Sequence, residues 1–156
     1  MYLDLKNNKD YTKLIEPAKI IKNGDLVIFP TETVYGVGAN GLDKNAIKKI
    51  YEAKQRPLNK PISLLVSNID MIESVAKDIT DIEYAIIKNF FPGPLTIILK
   101  KKGIIPDILT AGSDTIGIRM PANDIALNLI NYAGVPLATP SANLSGKPSG
   151  TNLKDI

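Results

Sequence analysis

Three cations fall close together in the segment Ala53-Lys54-Gln55-Arg56-Pro57-Leu58-Asn59-Lys60. Pro57 disfavours helical backbone at Arg56, and in an extended segment residues i and i+2 share a side. Lys54 and Arg56 would then face one way with Lys60 close behind, a set suited to a polyanion such as a chain of phosphates. Taken alone, the same residues also fit a solvated, lysine-rich helix end. A second candidate is Thr115-Ile116-Gly117-Ile118-Arg119-Met120. Period-two alternation turns Ile116, Ile118 and Met120 toward a core and puts Thr115, Gly117 and Arg119 on the opposite face. Glycine weakens a strand, so Gly117 suggests that a ligand or another backbone comes close. An arginine beside such a gap can clamp a carboxylate or a phosphate; the alternative is a surface arginine on an exposed face. In Thr139-Pro140-Ser141-Ala142-Asn143-Leu144-Ser145-Gly146, an extended chain would project Thr139, Ser141 and Asn143 to one side, offering two hydroxyls and an amide; taken alone, the segment fits an ordinary polar loop better. The fourth candidate, FPTETVYGVGAN at 29–40, reads as an apolar strand spilling into a small, polar, glycine-containing turn. Such turns often hold phosphates in α/β proteins, yet this one fits neither the G-x-G-x-x-G fingerprint nor the G-x-x-x-x-G-K-[ST] loop. Thr31 and Thr33 offer hydroxyls, Glu32 could support a metal or orient a hydroxyl, and Gly36 and Gly38 permit unusual backbone bends.

Composition narrows the chemistry further. The 156 residues contain no cysteine, histidine or tryptophan, which removes disulfides, thiol nucleophiles, Cys/His zinc sites and the Ser-His-Asp triad. Catalysis is left to positioning, cations, hydroxyls, carboxylates or a borrowed metal. Of 19 basic residues two are arginine, Arg56 and Arg119; they could mark places that need a planar, bidentate fork, and the alternative for so small a sample is chance. The net charge of +3 is a mild basic bias suited to phosphate-bearing ligands. No apolar run approaches the ~20 residues needed to span a bilayer, and the first residues lack the layout of a signal peptide. A cytoplasmic, non-membrane protein is the expectation.

Those candidates must be held by elements, and the pattern predicts strands alternating with helices. Helices are expected near Ile15–Asn23, from an N-cap at Asp43 to about Ala53, over Asn68–Ala76, from a capping box at Thr80–Glu83, and from Asn123 to Gly134. Strands are expected at Asp25–Phe29, Ile62–Val66, Leu95–Leu99, Thr115–Met120 and Pro136–Thr139, with the first and third buried on both faces. Such alternation predicts an α/β fold in a single domain over 1–156. A hairpin-capable segment at Lys100–Gly103 suggests a mixed sheet.

In order along the chain, PTETVYGVGA, AKQRP, FFPGPLTIIL, IGIRMP and PSANLSGKPS closely resemble the YrdC-like family of threonylcarbamoyl-adenylate synthases. The resemblance covers about Lys19 to Ser149, and the K-x-R pair Lys54/Arg56 together with the S-x-N pair Ser141/Asn143 is its most specific part. The resemblance implies a twisted mixed sheet with flanking helices around a basic concave cavity. It also implies an enzyme joining L-threonine, bicarbonate and ATP into threonylcarbamoyl-adenylate and pyrophosphate, for a transferase complex that modifies tRNA. By that resemblance Lys54 and Arg56 are catalytic, and Arg56 and Lys60 face the ATP phosphates with Mg2+ assisting. Thr115, Thr139, Asn143 and Ser149 line the nucleotide side, and Thr33, Arg119 and Ser141 hold threonine, Arg119 pairing with its carboxylate. No residue is singled out as a protein metal ligand. The C-terminus is shorter than usual for the family. Two rivals share the fold: a non-catalytic accessory protein that binds tRNA or other RNA, and a carbamoyl-adenylate-handling relative with another acceptor.

Overall fold

Capping residues and apolar spacing set the helices. The computed structural model describes residues 1–6 and 9–147. After a short 3-10 turn at Tyr11–Leu14, α1 spans Ile15–Lys22 with Pro17 in its first turn, where a missing N–H does no harm. Helix α2 (Lys44–Lys54) begins at Asp43, whose carboxylate accepts from the N–H groups of Asn45 and Ala46. Helix α3 (Ile69–Val75) is capped by Asn68. Helix α4 (Asp81–Phe90) opens on the expected capping box between Thr80 and Glu83. Helix α5 (Asp124–Ala133) is capped by Asn123, closes on Gly134 in left-handed conformation, and buries Ala126, Leu129, Ile130 and Ala133 as their spacing requires.

The strands β1 (Val27–Phe29), β2 (Gly36–Asn40), β3 (Leu64–Leu65), β4 (Ala76–Lys77), β5 (Ile97–Lys101), β6 (Thr115–Arg119) and β7 (Leu137–Ala138) form one sheet in the order β1-β2-β7-β3-β6-β5-β4. Among the described residues β3 and β6 pair in parallel, with Leu64 beside Ile118 and Leu65 beside Arg119, and the other pairings are antiparallel. The sheet is therefore mixed, in an α/β fold. One face carries the larger core, with Ile47, Ile50, Leu64, Ile116 and Ile118 at its centre. The other face is covered near β1, β7 and β3 by α1 and α5 through Ile21, Phe29, Leu129, Ile130 and Leu137. Toward β5 that second face is open, and Ile98 is 60% exposed.

Several expectations are corrected. Strand β1 is not buried on both faces: it is an edge strand with Ile28 47% exposed and Phe29 2% exposed. Strand β5 likewise alternates, because its second face is open. Residues 102–114 form a long excursion rather than a tight hairpin, and Ile62 N–H donates to the Leu109 carbonyl within it. Lys54 is the last residue of α2, not part of an extended run, and the turn away from the helix is made by Gln55 at φ 52°.

The glycine-containing turn is the largest correction. Residues 36–40 are a buried strand, paired with β1 through Val27–Gly38 and Phe29–Gly36. A Cβ at Gly38 would lie 2.6 Å from Phe29 Cε1, and one at Gly36 would lie 2.5 Å from Thr139 Cγ2. These glycines admit protein side chains, not a ligand. Gly38→Ala is expected to destabilise the fold by about 1–3 kcal/mol, since the buried Phe29 ring has little room to yield. A lowered midpoint of denaturant unfolding with unchanged slope would show it.

Candidate functional site

Four separate segments are joined by contacts between their motifs. The end of α2 supplies Lys54, whose side chain is buried (4% exposed) and whose Nζ donates to the Ser141 carbonyl at 2.6 Å. In return Ser145 N–H donates to the Lys54 carbonyl at 2.9 Å. The K-x-R and S-x-N segments are thus stitched together across 87 residues of chain. Burial, aided by the nearby charge of Arg56, pulls the Lys54 ammonium down to about 8. Arg56 turns back on its own loop, donating from Nη2 to the Pro61 carbonyl at 2.8 Å and from Nε to the Lys60 carbonyl at 3.3 Å. The Lys60 side chain is exposed.

Strand register places the 139–143 segment. Thr139 N–H donates to Ser63, Val37 N–H to Pro140 and Ala142 N–H to Tyr35, at 2.8–3.0 Å, so the loop continues β7 along β2. Ser141 Oγ donates to Asn143 Oδ1, and the Asn143 amide donates to the Leu144 and Lys147 carbonyls. Thr139 Oγ1 donates to the Leu137 carbonyl while its methyl faces Gly36. Ser149 lies outside the described residues.

Strand β6 brings in the fourth segment. Its alternation holds as expected: Ile116 and Ile118 are buried, and Thr115, Gly117 and Arg119 lie on the other face. Gly117, however, makes room for protein, since a Cβ there would lie 2.8 Å from Ser63 Oγ and 3.2 Å from Thr96 Cγ2. Arg119 donates from Nε to the Gly93 carbonyl at 3.2 Å and from Nη2 to Thr33 Oγ1 at 3.3 Å. Its Nη2 also forms an ion pair with Glu32, whose second oxygen accepts from the Ala122 N–H. Burial lowers the Arg119 pKa from its usual value. Thr115 sits at the far end of β6, four residues and about 13 Å from Arg119 at strand rise.

The structure therefore gathers Lys54, Ser141 and Asn143 in one cluster, and Arg119 with Thr33 in another. Arg56 and Lys60 lie on the loop after α2, and Thr115 marks the other end of β6. The Glu32 ion pair and the Gly93 carbonyl were not legible as parts of one site, because both reach Arg119 from distant segments. Ser145 was also missed; its Oγ is buried without a hydrogen-bond partner among the described residues. Two hollows lie elsewhere: a groove of about 970 Å3 between the N-terminal residues, α1, β1 and α5, and one of about 410 Å3 lined by Lys77, Lys100, Lys101 and Lys102.

With this geometry in place, the family model Sua5/YciO/YrdC, described as telomere recombination, matches residues 19–156. The chain belongs to the Sua5/YciO/YrdC family. A threonylcarbamoyl-AMP synthase of Pyrococcus abyssi is 45% identical over 154 residues, covering 99% of this chain and 45% of that protein. One of Bacillus subtilis is 43% identical over 148 residues, covering 92% of this chain and 42% of that protein. The crystal structure of P. abyssi Sua5 complexed with L-threonine superposes with a TM-score of 0.91 at 46% identity, over 94% of this chain and 43% of that one. This Sua5/YciO/YrdC chain thus spans less than half the length of these relatives. Among its described residues no helix is long and apolar enough to cross a membrane.

Proposed function

We propose that the chain is a threonylcarbamoyl-AMP synthase, converting L-threonine, bicarbonate and ATP into threonylcarbamoyl-adenylate and pyrophosphate. The observation that carries this reading is the Lys54–Ser141 hydrogen bond, which joins the two most specific motifs through a buried lysine. The threonine bound to the P. abyssi relative supports the amino-acid half of the reaction. On this reading threonine's amine captures CO2 derived from bicarbonate, losing a proton to give the carbamate. A carbamate oxygen then attacks the α-phosphorus of ATP, and the bond to the departing pyrophosphate breaks. No covalent enzyme intermediate is formed, so a chain without cysteine or histidine is adequate. The protein aligns the reactants and neutralises developing charge.

The residue roles are those that the family resemblance implies, supported by the Lys54–Ser141 and Arg119–Thr33 contacts. Lys54, Arg56 and Lys60 face the phosphates, while Arg119 and Thr33, with Ser141, hold threonine. Thr115, Thr139, Asn143 and Ser149 line the nucleotide side, the length of β6 separating Thr115 from Arg119. Among the described residues no group of three acidic, histidine or cysteine side chains could hold a metal. On this reading Mg2+ arrives with the nucleotide, on phosphate oxygens and water, as part of the substrate. The adenylate is consumed by a transferase complex acting on tRNA.

The expected result is pyrophosphate release from ATP that requires both threonine and bicarbonate. Tight tRNA binding by purified protein without such release would replace the synthase with the accessory reading.

A further inference from the structure

The Arg119–Glu32 pair poses a charge problem for any carboxylate ligand. Guanidinium and carboxylate cancel, and with side chains 15% and 20% exposed the pair is largely withdrawn from solvent screening. A simple carboxylate reaching the remaining N–H groups of Arg119 comes close to the negative charge of Glu32 and gains little net attraction. An α-amino acid zwitterion meets a different field. Its carboxylate can take the guanidinium while its ammonium, one carbon away, lies against Glu32.

Glu32 is also held in place before any ligand arrives. One carboxylate oxygen is engaged by Arg119 and the other by the Ala122 backbone N–H. The turn that carries it is tightened by Thr31, whose hydroxyl donates to the Val34 carbonyl at 2.6 Å and accepts from Thr33 N–H at 3.2 Å. The negative charge is thus fixed beside the arginine by two backbone segments, and fixed charges discriminate better than mobile ones. Among its donors, Arg119 Nη1 has no hydrogen bond within the described residues, so the guanidinium keeps N–H groups for a ligand while Glu32 stays put.

We propose that Glu32 is a specificity-determining residue that recognises the α-ammonium group of the amino acid at the Arg119 site and rejects carboxylates lacking it. The inference rests on the reading of threonine as substrate. It goes beyond that reading by assigning the amine, rather than the carboxylate, as the group the ion pair selects.

The test is calorimetric binding of L-threonine and of 3-hydroxybutanoate, the same skeleton without the amine, to the full chain and to Glu32→Gln. The wild type is expected to prefer threonine by about tenfold or more, as charged groups at an interface set specificity. In Glu32→Gln the affinity for threonine should fall and that for 3-hydroxybutanoate should rise, collapsing the preference. Equal affinity of the wild type for both ligands overturns the inference, and this arm needs no variant. Equal losses for both ligands in the variant make Glu32 merely structural, and equal gains make it a plug over Arg119; either overturns the inference. A wild type that binds ATP but neither small ligand overturns the threonine reading itself.

Discussion

Arg119→Ala is expected to lower kcat/KM for threonine by roughly 30- to 1,000-fold, corresponding to about 2–4 kcal/mol for truncating one partner of a largely desolvated charge pair. The loss should appear mainly as a raised KM for threonine, with the KM for ATP little changed, because Arg119 lies with Thr33 and Glu32, away from Lys54. The same change removes the partner of Glu32 and leaves that carboxylate mostly buried with the Ala122 N–H alone. A loss of stability follows, of about 1–3 kcal/mol, below the range for fully buried pairs since both side chains keep some solvent access. Arg119→Ala/Glu32→Gln should recover part of that stability without recovering turnover. Steady-state kinetics with each substrate varied, together with urea unfolding of both variants, checks the outcome. An unchanged KM for threonine in Arg119→Ala would remove the arginine from the threonine site.

Lys54→Met is expected to separate activity from stability in the opposite sense. Methionine keeps the length of the stem and removes the charge. If Lys54 neutralises the phosphates, kcat/KM for ATP should fall by about 100-fold or more. The folded protein should nevertheless lose little stability near pH 7, because relief of the buried charge offsets the lost bond to the Ser141 carbonyl. The reason is the position of Lys54: the residue is 4% exposed, and burial brings its pKa from 10.5 to about 8. Between pH 8 and 10.5 the unfolded chain therefore binds more protons at this group than the folded one, and stability rises with pH across that window. The contribution is complete above the unfolded value and absent below about 8, so at pH 7 the folded state carries the full penalty of a buried cation. Lys54→Met has no such penalty and should show a flatter dependence of stability on pH over 8 to 10.5. Affinity for ATP has the complementary pH dependence: it weakens as pH rises through about 8 and the free ammonium deprotonates. Unfolding and nucleotide titrations from pH 7 to 10 measure both.

The helices were readable because their signals are local. Asp43, Asn68, Thr80 and Asn123 are caps within one turn of the groups they bind, and Gly134 ends α5 by backbone freedom alone. The alternation of β6 was equally local, and it placed Arg119 on the correct face. Strand β2 was not readable. Glycines in GVGAN look like a turn until it is known that Phe29 and Thr139 occupy the space a Cβ would take. Gly117 misled in the same way, its missing side chain making room for Ser63 rather than for a ligand. The burial of β1 and β5 was overestimated because an apolar run does not say whether a second layer covers the strand. Helices α1 and α5 cover that face only near β1, β7 and β3.

By itself the sequence determined the helix boundaries, the α/β class, the exclusion of cysteine and histidine chemistry, and the five ordered motifs that mark the family. These depend on residue type and on spacings of a few positions, where one side chain can reach the next without knowledge of the rest. Tertiary structure decided which motifs touch. It brought Lys54 onto the Ser141 carbonyl across 87 residues and set Glu32 against Arg119 across another 87. It also turned the opening glycines from a ligand cradle into packing sites. Such contacts arise from strand order and register in a mixed sheet, fixed by burial of the whole sheet, and no local pattern encodes them.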